Sequence, residues 1–141
     1  MYTHPLQLRW ADVDSYGHVN NAVISSYLEE VRARLLDDLL PSEEAERRRK
    51  AFVVSQLEIA FKAPLSYRKE SVSVDVWVIS ARGSRLQLGY AVRDVKRIYA
   101  TATTVMAAFD LDEGRPRRLT DEELAFLAGY MKPEADEAQS N

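Results

Sequence analysis

Apolar residues recur every three or four positions from Ile24 onward. Ile24, Leu28, Val31, Leu35 and Leu39 form one stripe, the spacing of a helix with one buried face. Asn20 or Asn21 is a good cap, since an Asn side chain accepts from the free amides of a first turn. Pro41 stops the pattern, which predicts a helix to about Leu40. Alternation by two dominates elsewhere. Residues 5 to 10 (PLQLRW) read as a short first strand with Leu6 and Leu8 on one face. Phe52 to Lys62 alternates through Val53, Leu57, Ile59 and Phe61 against Gln56, Glu58 and Lys62, and Pro64 ends it. Ser71 to Val78 is the cleanest strand: Val72, Val74, Val76 and Val78 face one way, Ser71, Ser73, Asp75 and Trp77 the other.

Arg82-Gly83-Ser84 breaks that run, and Arg85 to Val95 alternates again through Leu86, Leu88, Tyr90 and Val92, predicting a hairpin. Asp94 to Arg97 is the next turn. Ile98 to Leu111 is a long last strand with Val105, Ala107 and Phe109 on one face, and its small residues imply close packing, as by the long helix. Asp112-Glu113-Gly114 is a turn. Thr120-Asp121-Glu122-Glu123 matches a capping box and starts a short helix to about Met131. The polar stretch 42 to 50 reads as a surface connection with a helical turn. Residues 132–141 read as a flexible tail.

The order is strand, long helix, four antiparallel strands, short helix. One long helix must cover one face of the sheet, which a strongly curved antiparallel sheet wrapped around it allows. The outer face and one edge then need cover, so self-association is expected.

Length and composition narrow the class. The chain has 141 residues and is 46% hydrophobic, enough for one globular domain. With no cysteine, a disulfide scaffold, cysteine-bound zinc and a cysteine nucleophile are excluded. No run is long enough to span a membrane and no signal-peptide core is visible, so a cytoplasmic protein is expected. The net charge of −3 argues against nucleic acid.

Candidate chemistry concentrates in Arg9 to Glu30, RWADVDSYGHVNNAVISSYLEE. Asp before a helix is commonest as a solvated turn residue. Asp12 and Asp14 are nevertheless placed to attack an acyl carbon or activate water, while amides at Asn20, Asn21 and Ala22 receive the developing oxyanion. Spacing does not say which aspartate reacts. Gly17 permits an unusual backbone angle or close ligand approach. His18 is a general acid, a water-positioning group or a structural partner; His4 has no visible partner. Arg82, Ser84 and Arg85 at the hairpin could grip phosphates. The Arg47-Arg48-Arg49-Lys50 run reads better as a solvated charged turn, and Glu29 and Glu30 as exposed or paired with Arg32 or Arg34. There is no phosphate-binding glycine loop, metal-ligand cluster or G-x-S-x-G elbow.

Asp12-Val13-Asp14-Ser15-Tyr16-Gly17-His18-Val19-Asn20-Asn21, followed by Tyr27-Leu28-Glu29-Glu30, resembles the hot-dog fold acyl-CoA thioesterases. The closest group is 4-hydroxybenzoyl-CoA thioesterase-like, and plant acyl-ACP thioesterases share the signature. The resemblance implies an α+β hot-dog fold, a curved antiparallel five-stranded sheet wrapped around one long central helix, over residues 1–131. It implies Asp14 as nucleophile or general base, the Asn21 backbone N–H as the group that polarises the thioester carbonyl, Gly17 as the loop glycine and His18 as a catalytic histidine. Arg82, Ser84 and Arg85 fall where relatives hold CoA phosphates, at a dimer interface where two subunits contribute. No cofactor or metal is implied. The partners implied are acyl-CoA or an acyl carrier protein and a second copy in a homodimer or homotetramer, with no nucleic acid and no membrane. Two departures matter. Tyr16 replaces the plant enzymes' asparagine and could shape the acyl pocket. His18 stands where the 4-hydroxybenzoyl enzyme has a hydrophobic residue. Thioester hydrolysis is the leading expectation. A non-catalytic acyl-CoA or acyl-ACP sensor and a hot-dog dehydratase or hydratase are the alternatives, and the fold alone does not separate them.

Overall fold

The structure, a computed structural model, describes residues 1–132; the expected tail from 133 onward lies outside the described residues. The elements are β1 (Tyr2–Leu6), a 3-10 turn (Trp10–Asp12), α1 (Asn21–Asp37), α2 (Glu44–Arg49), β2 (Ala51–Phe61), β3 (Val72–Arg82), β4 (Arg85–Arg93), β5 (Ile98–Asp110), β6 (Arg115–Pro116) and α3 (Asp121–Ala128). Five strands pair antiparallel in the order β1-β3-β4-β5-β2, and the two-residue β6 pairs with β5. With α1 packed against β3 and β1 in one apolar core, this is the expected hot-dog class of fold.

The core follows from two periodicities. The α1 residues Ile24, Leu28, Val31 and Leu35 are buried, and so is the β3 comb Val72, Val74, Val76 and Val78. Both belong to one apolar cluster, and α1 lies against β3 and β1. Asn20 caps α1, its side chain accepting from the Ala22 amide at 2.8 Å. At the β3–β4 hairpin Gly83 has φ +63°, at the first loop position, where tight hairpin turns take glycine. Gly89 has a different reason. A Cβ there would lie 2.5 Å from the Trp77 ring, so the glycine lets the indole of the opposed residue lie across the outer face.

Three expectations change. The first strand is Tyr2–Leu6, paired with Val72 to Val76, not residues 5 to 10. Leu8 is still buried, but Arg9 and Asp12 bond to each other and the chain winds into the turn at Trp10. In β2 a bulge between Val54 and Gln56 shifts the alternation by one. Phe52, Val54, Leu57, Ile59 and Phe61 therefore oppose the inward row of β5, and Val53 falls on the other face. In β5 that inward row is Ala100, Ala102, Thr104, Met106 and Ala108, all buried. Val105, Ala107 and Phe109 face outward, because alternation alone does not say which set is inside. Thr104 is accommodated because its hydroxyl meets that of Tyr90 at 2.7 Å.

The basic run on α2 is tied down on the surface, as Arg48 pairs with Asp112 and Arg49 with Glu46 and Asp112. At the other end the capping box forms as expected, Thr120 with Glu123. Arg117 also grips Glu123, at 2.7 and 2.9 Å. Burial alone raises the Glu123 pKa, but the Arg117 bonds and the Thr120 amide outweigh it and hold the group below the ordinary value.

Two outcomes follow. Asn20→Ala removes the α1 cap and should cost about 1 kcal/mol of stability, read from urea denaturation. Glu123→Ala leaves the Arg117 cation without its carboxylate and should cost about 3 kcal/mol. Because the folded-state pKa of Glu123 is depressed, its contribution is present above the unfolded carboxyl pKa of about 4.3 and lost as pH falls through the folded value. The variant's denaturation midpoint should accordingly fall less than the wild type's on acidification below that point.

Candidate active site

The loop from Asp12 to Asn20 is a small clasp closed by its own backbone. Asn20 N–H donates to Asp12 O at 2.9 Å and Asp14 N–H to His18 O at 2.8 Å, while Val13 and Val19 bridge between them. Gly17, at φ +81°, turns the tip and returns its N–H to Asp14 O at 3.0 Å. Val19 N–H then reaches Leu65 O at 2.8 Å, which ties the clasp to the segment after β2. Gly17 therefore has the structural reason that its residue type suggested.

Asp14 is half-buried at the base of this tip. Its Oδ1 accepts from Tyr16 N–H at 2.9 Å and His18 N–H at 3.4 Å. Among the described residues Oδ2 has no hydrogen-bond donor. One carboxylate oxygen is thus spent on shaping the loop and the other is open. The amides at the start of α1 divide in the same way. Asn20 N–H is used by Asp12 O, Ala22 N–H by the Asn20 side chain, and Val23 and Ile24 N–H by Asn20 O. Of the three amides expected to receive an oxyanion, only that of Asn21 has no partner among the described residues.

Asp14 and Asn21 line a common cavity of about 480 Å³. Its wall includes Tyr16 and His18 on the loop, Ile24 on α1, Phe61 at the end of β2 and Lys62 to Leu65 after it, and it ends on Tyr99 and Ala100. Tyr16 is 84% exposed, so it stands at the mouth and not in the interior. Asp12 points elsewhere. It is buried, receives Arg9 through two bonds at 2.8 and 3.2 Å, and accepts the Tyr27 hydroxyl at 2.9 Å. The Arg9 bonds outweigh burial and hold its carboxyl below the ordinary range. Burial, together with the bond to Asp12, pushes the Tyr27 hydroxyl up and keeps it protonated. The two aspartates are thereby told apart: one is bound on every side, the other has an oxygen free in the cavity.

The hairpin residues Arg82, Ser84 and Arg85 are not brought to this cavity within one chain. Ala108 N–H donates to Ser84 O, and Arg85 pairs with Ala107. The cavity ends at Ala100, seven residues earlier on β5, or roughly 24 Å along an extended strand.

Sequence reasoning missed several lining groups, among them Lys62, Leu65 and Tyr99. It also missed what fixes Tyr99. The Tyr99 hydroxyl donates to Asp94, and Arg68 bonds both, at 2.6 Å to Asp94 and 2.8 Å to Tyr99. The Tyr99 hydroxyl, the amides of Arg97 and Lys96 and the Arg68 guanidinium hold the Asp94 carboxyl well below the usual range. No local pattern marks this trio, because Arg68 lies 26 and 31 residues from its partners. Among the described residues no three His, Asp or Glu side chains converge as metal ligands, and no helix is long and apolar enough to cross a membrane.

Known structures share this architecture. A thioesterase from Thermus thermophilus, solved in complex with coenzyme A and Zn, is 26% identical, with a TM-score of 0.77 over 93% of this chain and 95% of its own. A predicted thioesterase from Bacillus stearothermophilus superposes with a TM-score of 0.82 at 20% identity, over 93% of this chain and 96% of its own, a likeness of fold. A hypothetical protein, also from Thermus thermophilus, is 25% identical with a TM-score of 0.78, over 91% of this chain and 98% of its own. The sequence profile of the thioesterase-like superfamily matches residues 8–127, from just after β1 through nearly all of α3. That span takes in the Asp12–Asn20 clasp, α1 and the whole sheet but for β1, and the chain belongs to the thioesterase-like superfamily.

Proposed function

We propose that the protein hydrolyses acyl-CoA thioesters to a carboxylic acid and free CoA. The observation that carries this reading is the pairing, in one cavity, of an Asp14 carboxylate oxygen with no donor and an Asn21 amide with no acceptor among the described residues. Hydrolysis needs both. As the thioester carbonyl is attacked, negative charge grows on its oxygen, and an N–H at a helix start stabilises it through the hydrogen bond and the helix dipole. Asp14 Oδ2 supplies the other half, either by attacking the carbonyl carbon or by taking a proton from the attacking water. Water adds its oxygen to the acyl carbon, the C–S bond breaks, and the sulfur leaves as CoA thiol. His18 lines the cavity beside Asp14 and is the nearby candidate to position water or protonate the departing thiolate. Superfamily membership, and a relative solved with coenzyme A, agree with a thioester carried on a CoA-like arm. A protein-bound pantetheine offers the same chemistry.

The same reading makes the active protein a homodimer or homotetramer. Val54, Leu57 and Phe61 on the inner row of β2 are 42%, 44% and 47% exposed, and β2 is an eleven-residue edge strand. Such an edge is stable in water when something pairs with or covers it. Arg82, Ser84 and Arg85 then act on a bound phosphate only from a second protomer.

Thiol release from a panel of acyl-CoAs tests the reaction. Asp14→Asn should keep the fold and lower kcat by about 1,000-fold, within the range for losing a general base. Equal rates in both proteins would remove Asp14 from the mechanism. Tight acyl-CoA binding without any thiol release would identify a sensor. Light scattering tests the assembly: wild type should run as two or four chains, and Leu57→Lys as one.

A further inference from the structure

Asp12 takes no part in the chemistry above, yet its side chain accepts three hydrogen bonds beside the clasp. Its Oδ1 accepts Arg9 Nη2 at 2.8 Å, and Oδ2 accepts Arg9 Nε at 3.2 Å and the Tyr27 hydroxyl at 2.9 Å. Its backbone carbonyl accepts Asn20 N–H at 2.9 Å, and its own N–H donates to Arg9 O at 3.0 Å. One residue therefore joins the 3-10 turn, the last residue before α1, and the second turn of α1 itself. Tyr27 is 8% exposed and Asp12 5%, so the joint is shielded from water on the side that faces the helix.

The geometry points to Asp12 as a positioning residue that sets the first turn of α1, and with it the Asn21 amide, in register with the Asp14 carboxylate. Asp14 is two residues beyond Asp12 on one limb of the clasp, and Asn21 follows Asn20 on the other. The backbone bond from Asn20 to Asp12 fixes the spacing of the limbs. The Tyr27–Asp12 bond fixes how the helix is rotated and advanced relative to them. Without that bond the hydrogen-bonded link between clasp and helix runs through Asn20 alone, and the clasp can shift against the first turn of α1 while the packed length of the helix stays in place. Catalytic geometry is sensitive to such slips, because a misplacement of about 1 Å can cost about 100-fold in rate. The joint lies outside the Asp14–Asn21 cavity: Asp12 and Tyr27 line a separate recess with Leu6, Val23 and Glu30.

This inference rests on the thioesterase reading, so the experiment separates the two. Tyr27→Phe removes one hydroxyl and keeps the ring packed, and Asp12→Asn removes the charge of the joint. Both are assayed with the acyl-CoA that the wild type turns over fastest, at a temperature where circular dichroism shows each fully folded. Tyr27→Phe should lower kcat about tenfold and Asp12→Asn about 100-fold, with KM within about twofold, because transition-state alignment is lost and substrate contacts are not. A merely structural joint would lower the melting temperature and leave kcat of the folded protein unchanged, and that result in both variants overturns the inference. A loss of binding alone, seen as a raised KM with constant kcat, overturns it as well. If wild type shows no thiol release at all, the proposed function falls and takes this inference with it. If wild type and Asp14→Asn behave as expected but Tyr27→Phe and Asp12→Asn both keep the wild-type kcat, only the inference falls.

Discussion

A single helix has to cover a sheet of five strands, and the contact between α1 and β3 is the constraint the rest of the molecule answers to. The stripe Ile24, Leu28, Val31 and Leu35 meets the comb Val72, Val74, Val76 and Val78 inside one cluster. Burying each such side chain is worth about 1.5–3 kcal/mol before entropy is counted, so this contact outweighs any single polar interaction in the structure. It also has a geometric consequence. A helix laid on β3 and β1 leaves β2, at the other edge, without its own cover. The apolar inner row of β2 and the expectation of self-association are two sides of that one shortage.

The site is placed by the same packing. α1 is anchored along its length, and of the amides at its start only that of Asn21 is left without a partner among the described residues. The clasp from Asp12 to Asn20 closes on itself by backbone bonds across the loop, by Asn20 on the helix and by one oxygen of Asp14 at the loop tip. Among the groups left without a partner are one Asp14 carboxylate oxygen and the Asn21 amide, on residues that line the same cavity.

Local signals are legible where the chain itself enforces them. The caps at Asn20 and Thr120, the turn at Gly83 and the β3 comb depend on neighbours within a few residues, and each is found. The phase of β2 is hidden because the bulge at Ser55 is a property of pairing with β5, visible in no window of β2 alone. The inward face of β5 is hidden because Ala, Thr and Val serve either face, and Thr104 is buried only because Tyr90, on another strand, takes its hydroxyl. The first strand lies several residues earlier than its alternation suggests because Arg9 and Asp12 find each other and draw Trp10 into a turn.

By itself the sequence determined the class of fold, the single long helix with its cap, and the short stretch that carries the candidate chemistry. Those features rest on period, capping and turn preferences that act over neighbouring residues. Only the tertiary structure decided which aspartate is open and which is bound, and which of three candidate amides is free. It alone decided that Tyr99 is pinned by Arg68 and Asp94, and that the Arg82–Arg85 hairpin ends far from the cavity of its own chain. The physical reason is the same in each case: a hydrogen-bond partner or a cavity wall is supplied by whatever the fold brings near, and residues 15, 26 or 31 positions apart carry no mark of their meeting until the helix and the sheet have closed.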